Sequence, residues 1–358
     1  YIVAVGTPLD SNGKPSLSAL NDVLEIISSV LKKGDQVVLR STVPVGTTRE
    51  IVIPYLELKS GLKAGTDFYV TFAPERTIEG NAMHELKSLP QVLGGFSSSC
   101  VKYGSEFWST LTPSIVHMAS LEASELVKLA NNTFRDVSFA FANELALLAD
   151  RYNVDAFDLI HGANEGYPRN KIPLPSPGVG GYCLTKDPIL FSSTSDGARE
   201  DAVLGLSSRK INEQAALYPL KVLKRFSKKI SVPLDKMIVM VIGVAFKGVP
   251  ETTDVRGSVA VELLYLLKKT VSKVIGWDAV IENKELEFIG FETVDNFSEG
   301  IEQAHVVLIL NNHTQNIRSE LYSRPTKHRL IFDGWKQLDA SEIKNIDGLY
   351  YGTMGYIS

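Results

Sequence analysis

Short apolar runs alternate with longer amphipathic stretches over the first 118 residues. "YIVAV" opens the chain, and "QVVLR" from Gln36 and "FYVTF" from Phe68 repeat the motif. Continuous apolar runs of this length read as strands buried on both faces. Between the first two, "SLSALNDVLEIISSVLKKG" sets Leu17, Leu20, Leu24, Ile27 and Leu31 at helical spacing, with Ser16 the expected N-cap and Gly34 the expected stop. Apolar strands separated by helices predict a parallel sheet covered on both sides.

Residues 120–152 change the pattern, because they contain no glycine or proline and are apolar nearly all round. They predict one long buried helix, and the surplus of apolar positions suggests packing against a second copy or a neighbouring domain. Residues 153–198 are richer in glycine and proline and read as loops around short helices. A helical stretch follows from about 199 to 229, interrupted near Pro219. From 235 the alternation restarts with "MIVMVIG", "KVIGWDA", "AHVVLIL", "RLIFDGW" and "LYYGTMG". The expected fold class is α/β, with two doubly wound Rossmann-like domains joined by a long central helix. The segments are 1–118, 119–230 and 231–358.

Charge narrows the function. Lys+Arg number 37 against 41 Asp+Glu, a formal balance of −4, which lacks the basic footprint of a nucleic-acid binder. Anionic ligands must then be met by local clusters. Runs such as "MIVMVIGVAF" fall short of the ~20 residues of a membrane helix. No membrane insertion is expected, and a soluble cytoplasmic protein is. The two cysteines, Cys100 and Cys183, read as reduced thiols. The six histidines show no ligand spacing, so no metal is expected.

Five stretches carry candidate chemistry. In "PGVGGYCLTKDP", glycines at 178, 180 and 181 lead to Cys183. A helix beginning there would lower the thiol pKa and set Asp187 one turn on; the plainer reading is a small buried hydrophobe behind a turn. Lys128 and Asn132 lie four apart on the long helix and could steady an oxyanion, or Lys128 could simply reach water. "APERTIEGNA" follows a strand and offers Glu75 and Glu79 where open sheets bind ligands. "RSTVPVGTT" offers Ser41, Thr42 and Thr47, Thr47 also being a plausible helix cap. "VIGVAFKG" and "TTDVRGS" bring Lys247 and Arg256 as partners for a diphosphate, or for an ion pair between domains.

Taken in order, "VAVGTPLD", "STVPVGTT", "APERTIEGNA", "ELVKLANNTFRDVSFAFANELA", "PGVGGYCLTKDP" and "GVAFKGVPETTDVRGS" resemble the nucleotide-sugar dehydrogenases, the UDP-glucose and UDP-N-acetylhexosamine 6-dehydrogenase family. The resemblance spans nearly the whole chain. It implies that segment 1–118 belongs to an NAD-binding domain, 119–230 carries the cysteine loop and a homodimer helix, and 231–358 binds the UDP-sugar. It further implies oxidation of a sugar 6-hydroxymethyl group to the uronate, with two hydrides passed to NAD. Cys183 would be the nucleophile, Lys128 and Asn132 would hold the oxyanion, and Asp187, Glu75 and Thr42 would place the water. Glu79, Arg169, Ser176, Gly180 and Lys247 would contact the sugar nucleotide. Gly6, Thr7, Pro8, Ser41, Lys186 and Arg256 would lie towards the dinucleotide.

The family pattern also includes a G-x-G-x-x-G turn after the first strand, which this sequence does not contain. The cofactor domain is accordingly expected to be represented from a later strand onward, and these 358 residues to bind NAD weakly. Tyr182 stands where the family often has histidine, and Trp335 where glucose-type members tend to carry arginine. "APER" and "NTFRDVSFAFANELA" lean towards the N-acetylhexosamine branch. The alternatives are a UDP-glucose 6-dehydrogenase, a β-hydroxyacid-type dehydrogenase performing one oxidation without a cysteine, and a non-catalytic nucleotide-sugar binding protein.

Overall fold

The computed structural model describes residues 1–193 and 202–357, which form two compact units. The first is Tyr1–Arg135 with Lys186–Leu206; the second is Asp136–Thr185 with Ser207–Ser358.

The first unit holds strands β1 (Ile2–Val3), β2 (Gln36–Leu39), β3 (Tyr69–Phe72), β4 (Gln91–Gly95) and β5 (Ile115–His117), ordered β1-β2-β3-β4-β5. β1, β2 and β3 are parallel, in register Ile2↔Val38 and Gln36↔Tyr69. Both faces are covered: Val37 and Leu39 join the cluster of Leu20, Leu24 and Phe72, whereas Val38 turns towards Leu93 and Trp108. That explains why the strand sequence is apolar without alternation.

Two expectations are corrected here. The sheet is not wholly parallel, since β4 runs antiparallel to β3 and β5 follows β4. The link between β3 and β4 contains only a seven-residue helix that buries nothing, so no covering crossover forces a parallel return. The first helix, α1 (Ser18–Val30), starts without a side-chain cap. Ser16 is held outside it, its N–H donating to the Pro8 carbonyl at 2.8 Å. The helix also ends at Leu31 rather than running to Gly34. Two further helices, α2 (Ile53–Ser60) and α4 (Ser98–Trp108), complete the covering of this sheet, and α3 (Ala82–Ser88) is the short helix of the β3–β4 link.

The expected long helix is α5, Leu121–Ala149, and Asn153 at φ +55° turns the chain beyond it. It is followed by α6 (Ala156–Asn164), α7 (Tyr182–Phe191), α8 (Val203–Ala216) and α9 (Tyr218–Lys229). The break between α8 and α9 falls at Leu217, just ahead of Pro219, whose ring suits the first turn of a helix and not an interior. The second unit carries β6 (Ile238–Ile242), β7 (Lys273–Trp277), β8 (Val306–Ile309), β9 (Arg329–Asp333), β10 (Leu349–Thr353) and β11 (Tyr356–Ile357). Their order is β11-β10-β9-β8-β6-β7, parallel except for β11. Strand order therefore reverses between β6 and β8, the place where such sheets open a ligand crevice.

Candidate active site

α5 contains a buried polar stripe that hydrophobic patterning passes over. Glu125, Asn132, Asp136 and Asn143 are spaced seven, four and seven residues apart, which at 100° per residue keeps them on one face. Their exposures are 1%, 7%, 0% and 0%. Each therefore needs partners inside the protein, and each has them.

In the first unit, Asn132 Nδ2 donates to Asp187 Oδ2 at 2.5 Å, and Lys186 Nζ reaches Asp187 Oδ1 at 2.7 Å. Lys186 and Asp187 are both buried, so the carboxylate and ammonium compensate each other out of water. Lys128 is half-buried one turn before Asn132. Three predicted residues, Asn132, Asp187 and Lys186, thus form one hydrogen-bonded group. Lys186 spends its ammonium on Asp187, a contact the sequence did not indicate.

The strand ends carry the rest of this unit's candidates. Arg40 pairs with Glu75 and stacks over the Trp108 ring 4.5 Å from its centre. Burial alone would raise the Glu75 carboxyl, but the Thr77 N–H at 2.8 Å and Arg40 outweigh it and hold it below the usual range. Such a carboxylate accepts hydrogen bonds well and is a weak base. Glu79 lies exposed in the following turn. Thr7 donates its hydroxyl to the Thr42 carbonyl, and Ser41 Oγ lies 3.5 Å from the Val3 carbonyl. Gly6, Thr7, Pro8, Ser41 and Thr42 therefore gather at the carboxyl ends of β1 and β2, a position that fits a dinucleotide on a parallel sheet. Thr47 is no N-cap: its hydroxyl donates to the Pro44 carbonyl at 2.7 Å. Glu125 caps this turn instead, accepting from Gly46 N at 2.6 Å, Thr48 N at 2.9 Å and Thr48 Oγ1 at 2.5 Å. Burial pushes the Glu125 carboxyl up to about 7 despite these donors, while Arg49 pulls Glu122 one turn away down to about 2.

In the second unit, Cys183 is exposed in the first turn of α7. Asp187 follows it by one helical turn on the same α7. The glycines before the thiol have a steric reason. A Cβ on Gly180 would stand 2.3 Å from the Gly257 carbonyl, and one on Gly181 would stand 2.8 Å from the Phe246 ring, with φ there at +91°. Gly181 N donates to that same Gly257 carbonyl at 3.2 Å. Lys247 lies 5.3 Å over Phe246, and Arg256 lies 5.0 Å over the Tyr182 ring while gripping Asp254. Gly180, Lys247, Arg256 and Cys183 are thus drawn together. Ser176 is buried, its N–H on Asn143 Oδ1 at 2.9 Å and its hydroxyl on the Gly178 carbonyl at 2.8 Å. Arg169 is exposed and stacks on Tyr167.

The reversal between β6 and β8 adds Asp278, Asn311 and Asn312, which the sequence alone did not single out, near Trp335. Asp278 accepts from Val244 N at 2.6 Å and Ala245 N at 3.0 Å, and Asn312 Oδ1 accepts from Gly248 N at 2.9 Å. Asn311 reaches the Ala245 carbonyl, and Trp335 Nε1 donates to the Leu310 carbonyl at 3.0 Å. The "NNH" following an apolar strand was the available signal. A hollow of about 290 Å³ on this unit, lined by Asp150, Arg225, Lys229 and Tyr350 among others, shares no residue with these groups. Among the described residues no cluster of three His, Cys, Asp or Glu could hold a metal, and no helix is long and apolar enough to cross a membrane.

Three stretches of the chain match one family of known proteins. Residues 1–112 match the NAD-binding domain of the UDP-glucose/GDP-mannose dehydrogenase family, 122–214 its central domain and 240–340 its UDP-binding domain. A UDP-N-acetyl-D-mannosamine dehydrogenase of Pyrococcus horikoshii is 33% identical over 93% of this chain and 76% of that protein. An NDP-N-acetyl-D-galactosaminuronic acid dehydrogenase of Ralstonia nicotianae is 30% identical over 88% of this chain and 74% of its own length. The solved structure of a UDP-D-ManNAc dehydrogenase from Pyrococcus horikoshii superposes with a TM-score of 0.87 at 32% identity, covering 99% of this chain and 80% of that one.

Proposed function

The chain belongs to the UDP-glucose/GDP-mannose dehydrogenase family and is an NAD-dependent UDP-sugar dehydrogenase, and on that premise we propose that it oxidises C6 of a UDP-N-acetylhexosamine to the carboxylate through a thioester on Cys183. The observation that carries this reading is α7 itself, with an exposed thiol in its first turn and a buried, doubly held carboxylate one turn on.

The chemistry needs two hydrides to leave C6 and one water to enter. NAD, when bound, supplies the hydride acceptor. The first hydride loss leaves an aldehyde, with the hydroxyl proton passing to solvent. Cys183 sulfur adds to that aldehyde and keeps it from leaving as a tethered thiohemiacetal. The second hydride loss converts this to a thioester, and water cleaves it to the acid and the thiol. Lys128 and the second N–H of Asn132 suit the oxyanion. Asp187, fixed by Lys186 and Asn132, orients the attacking water. Glu75, held as a carboxylate, accepts a hydrogen bond from that water beside Thr42.

Gly6, Thr7, Pro8, Ser41 and Arg256 would border the dinucleotide; Lys186 serves by holding Asp187. Glu79, Arg169, Ser176, Gly180 and Lys247 would meet the sugar nucleotide. The preference for an N-acetylhexosamine draws on the relatives' substrates and on Trp335, whose indole is pinned to the Leu310 carbonyl where arginine would otherwise stand. The functional segments are 1–118, 119–230 and 231–358, and the working form is a homodimer in the cytoplasm. Phe134, Phe141 and Leu148, exposed at seven-residue intervals on α5, suit packing against a second copy. Light scattering that finds a monomer at micromolar concentration would remove that part.

The test is a panel of UDP-sugars incubated with the full-length protein while NADH and uronate are counted. Two NADH per uronate, highest with a UDP-N-acetylhexosamine, is the expected result. Cys183→Ser should abolish uronate formation, and a variant that still makes acid at the normal rate would sink the thioester route.

A further inference from the structure

We propose that Glu125 is a positioning residue that fastens the Thr42-bearing loop to α5, holding Thr42 in place against Lys128 and Asn132. The inference rests on the reaction proposed above, in which those three residues act together, but Glu125 itself touches none of the reacting atoms.

The geometry is confined to the first unit. The chain leaves β2 through Ser41 and Thr42, turns at Pro44–Gly46, and starts a π-helical turn at Thr48 that continues into α2. The opening amides of a helix have no partner within it. Here two of them, together with the Thr48 hydroxyl, are met by a carboxylate from another helix rather than by a local cap. α5 then places Lys128 and Asn132 three and seven residues beyond Glu125. One side chain therefore ties the loop end of β2 to the helix segment bearing both candidate oxyanion ligands. A displacement of about 1 Å between such groups can cost about 10²-fold in rate.

The clamp also has a pH dependence. Three donors converge on the carboxyl, but burial outweighs them, so the clamped state favours the protonated form. The groups facing it are Glu122 on its own helix, and Thr48, Arg49 and Gly46 from the loop and the turn after it, with Glu50 beside Gly46. Arg49 is engaged by Glu122, through Nε and through Nη2 at 3.4 Å. Among the described residues no cation is hydrogen-bonded to Glu125, whose carboxyl burial lifts to about 7, and the Arg49 charge acts on it from a distance. Because the clamped carboxyl holds its proton more tightly than a solvent-exposed one, ionisation above about pH 7 loosens the loop.

The experiment uses full-length wild type, Glu125→Gln and Thr48→Val. The glutamine keeps the shape but turns an amide NH₂ towards one of the donors; the valine removes only the hydroxyl partner. Both should lower kcat, Glu125→Gln by about 10- to 100-fold, with KM little changed, and both should flatten the alkaline limb of the kcat profile above about pH 7. Wild-type kcat with an unaltered limb in both variants would overturn the proposal. If Glu125→Gln does not fold, Thr48→Val decides it alone. Amide exchange at Gly46 and Thr48, read without substrate, should quicken by about ten-fold in Glu125→Gln, and unchanged protection would also overturn it. A wild type inactive on every UDP-sugar would defeat the proposed reaction, while the exchange result would still judge the clamp.

Discussion

Glu125 and Asp136 stand three turns apart on one face of α5, both buried, and they are stabilised by different means. Asp136 meets a cation: Arg209 Nη1 lies 2.8 Å away, with Ser208 Oγ at 2.6 Å and Asn212 Nδ2 at 2.9 Å. Among the described residues Glu125 is hydrogen-bonded by amide and hydroxyl dipoles and by no cation. A buried charge with a cation is compensated as a charge, whereas dipoles leave much of the desolvation cost standing. The first arrangement builds a permanent joint. The second leaves a group able to change protonation near neutral pH, and it lies on the segment that carries Lys128 and Asn132.

Removing the cation is the most severe way to break this comparison. Arg209→Met leaves Asp136 buried and unpaired, and should cost about 3–5 kcal/mol in a denaturant titration. A loss below about 1 kcal/mol would mean that the dipoles of Ser208 and Asn212 suffice, and the two sites would no longer differ in kind.

The pH dependence of stability sharpens the other side. Glu125 binds its proton more tightly folded than unfolded, since burial raises it to about 7 from an ordinary 4.5. Its contribution is therefore complete below about pH 4.5 and is lost as pH rises to about 7, by about 3 kcal/mol at most. Glu122 works in the opposite direction, its contribution fading as pH falls from 4.5 towards about 2. Glu125→Gln should flatten the slope between pH 5 and 7, as read from denaturation midpoints; an unchanged slope would place its origin elsewhere.

The smallest expected effect concerns Asn143, a neutral member of the stripe. It accepts from Ser176 N and donates to Asn212 Oδ1 at 2.9 Å each. Asn143→Ala should cost about 1–3 kcal/mol by stranding both partners. It should leave the pH slope intact, because no titrating group is lost.

Much of this was legible in the sequence, and the rest failed for identifiable reasons. The apolar runs at Gln36, Tyr69, Ile238 and Val306 became strands because both of their faces are buried. Cys183 fell in a helical first turn behind glycines that crowding against Gly257 and Phe246 explains. Ser16 failed as a cap because a backbone bond to Pro8 holds it outside the helix. Thr47 failed because Glu125, 78 positions away in sequence, took the role. Pro8 meets Ser16 across a short chain reversal and Glu125 comes from a distant helix, and helical spacing weighs neither.

The sequence by itself determined the alternation of strand and helix, the unbroken length of α5, the order of the six segments shared with the family and the place of Cys183 behind its glycines. These follow from local periodicity and from residue chemistry, which a linear chain displays. Only the tertiary structure decided that Lys186 turns to Asp187, that the Thr77 N–H and Arg40 hold Glu75 low against its burial, and that four polar residues of α5 face inward. Burial and partners set the charge and the role of an ionisable group, and the folded arrangement rather than residue spacing supplies both.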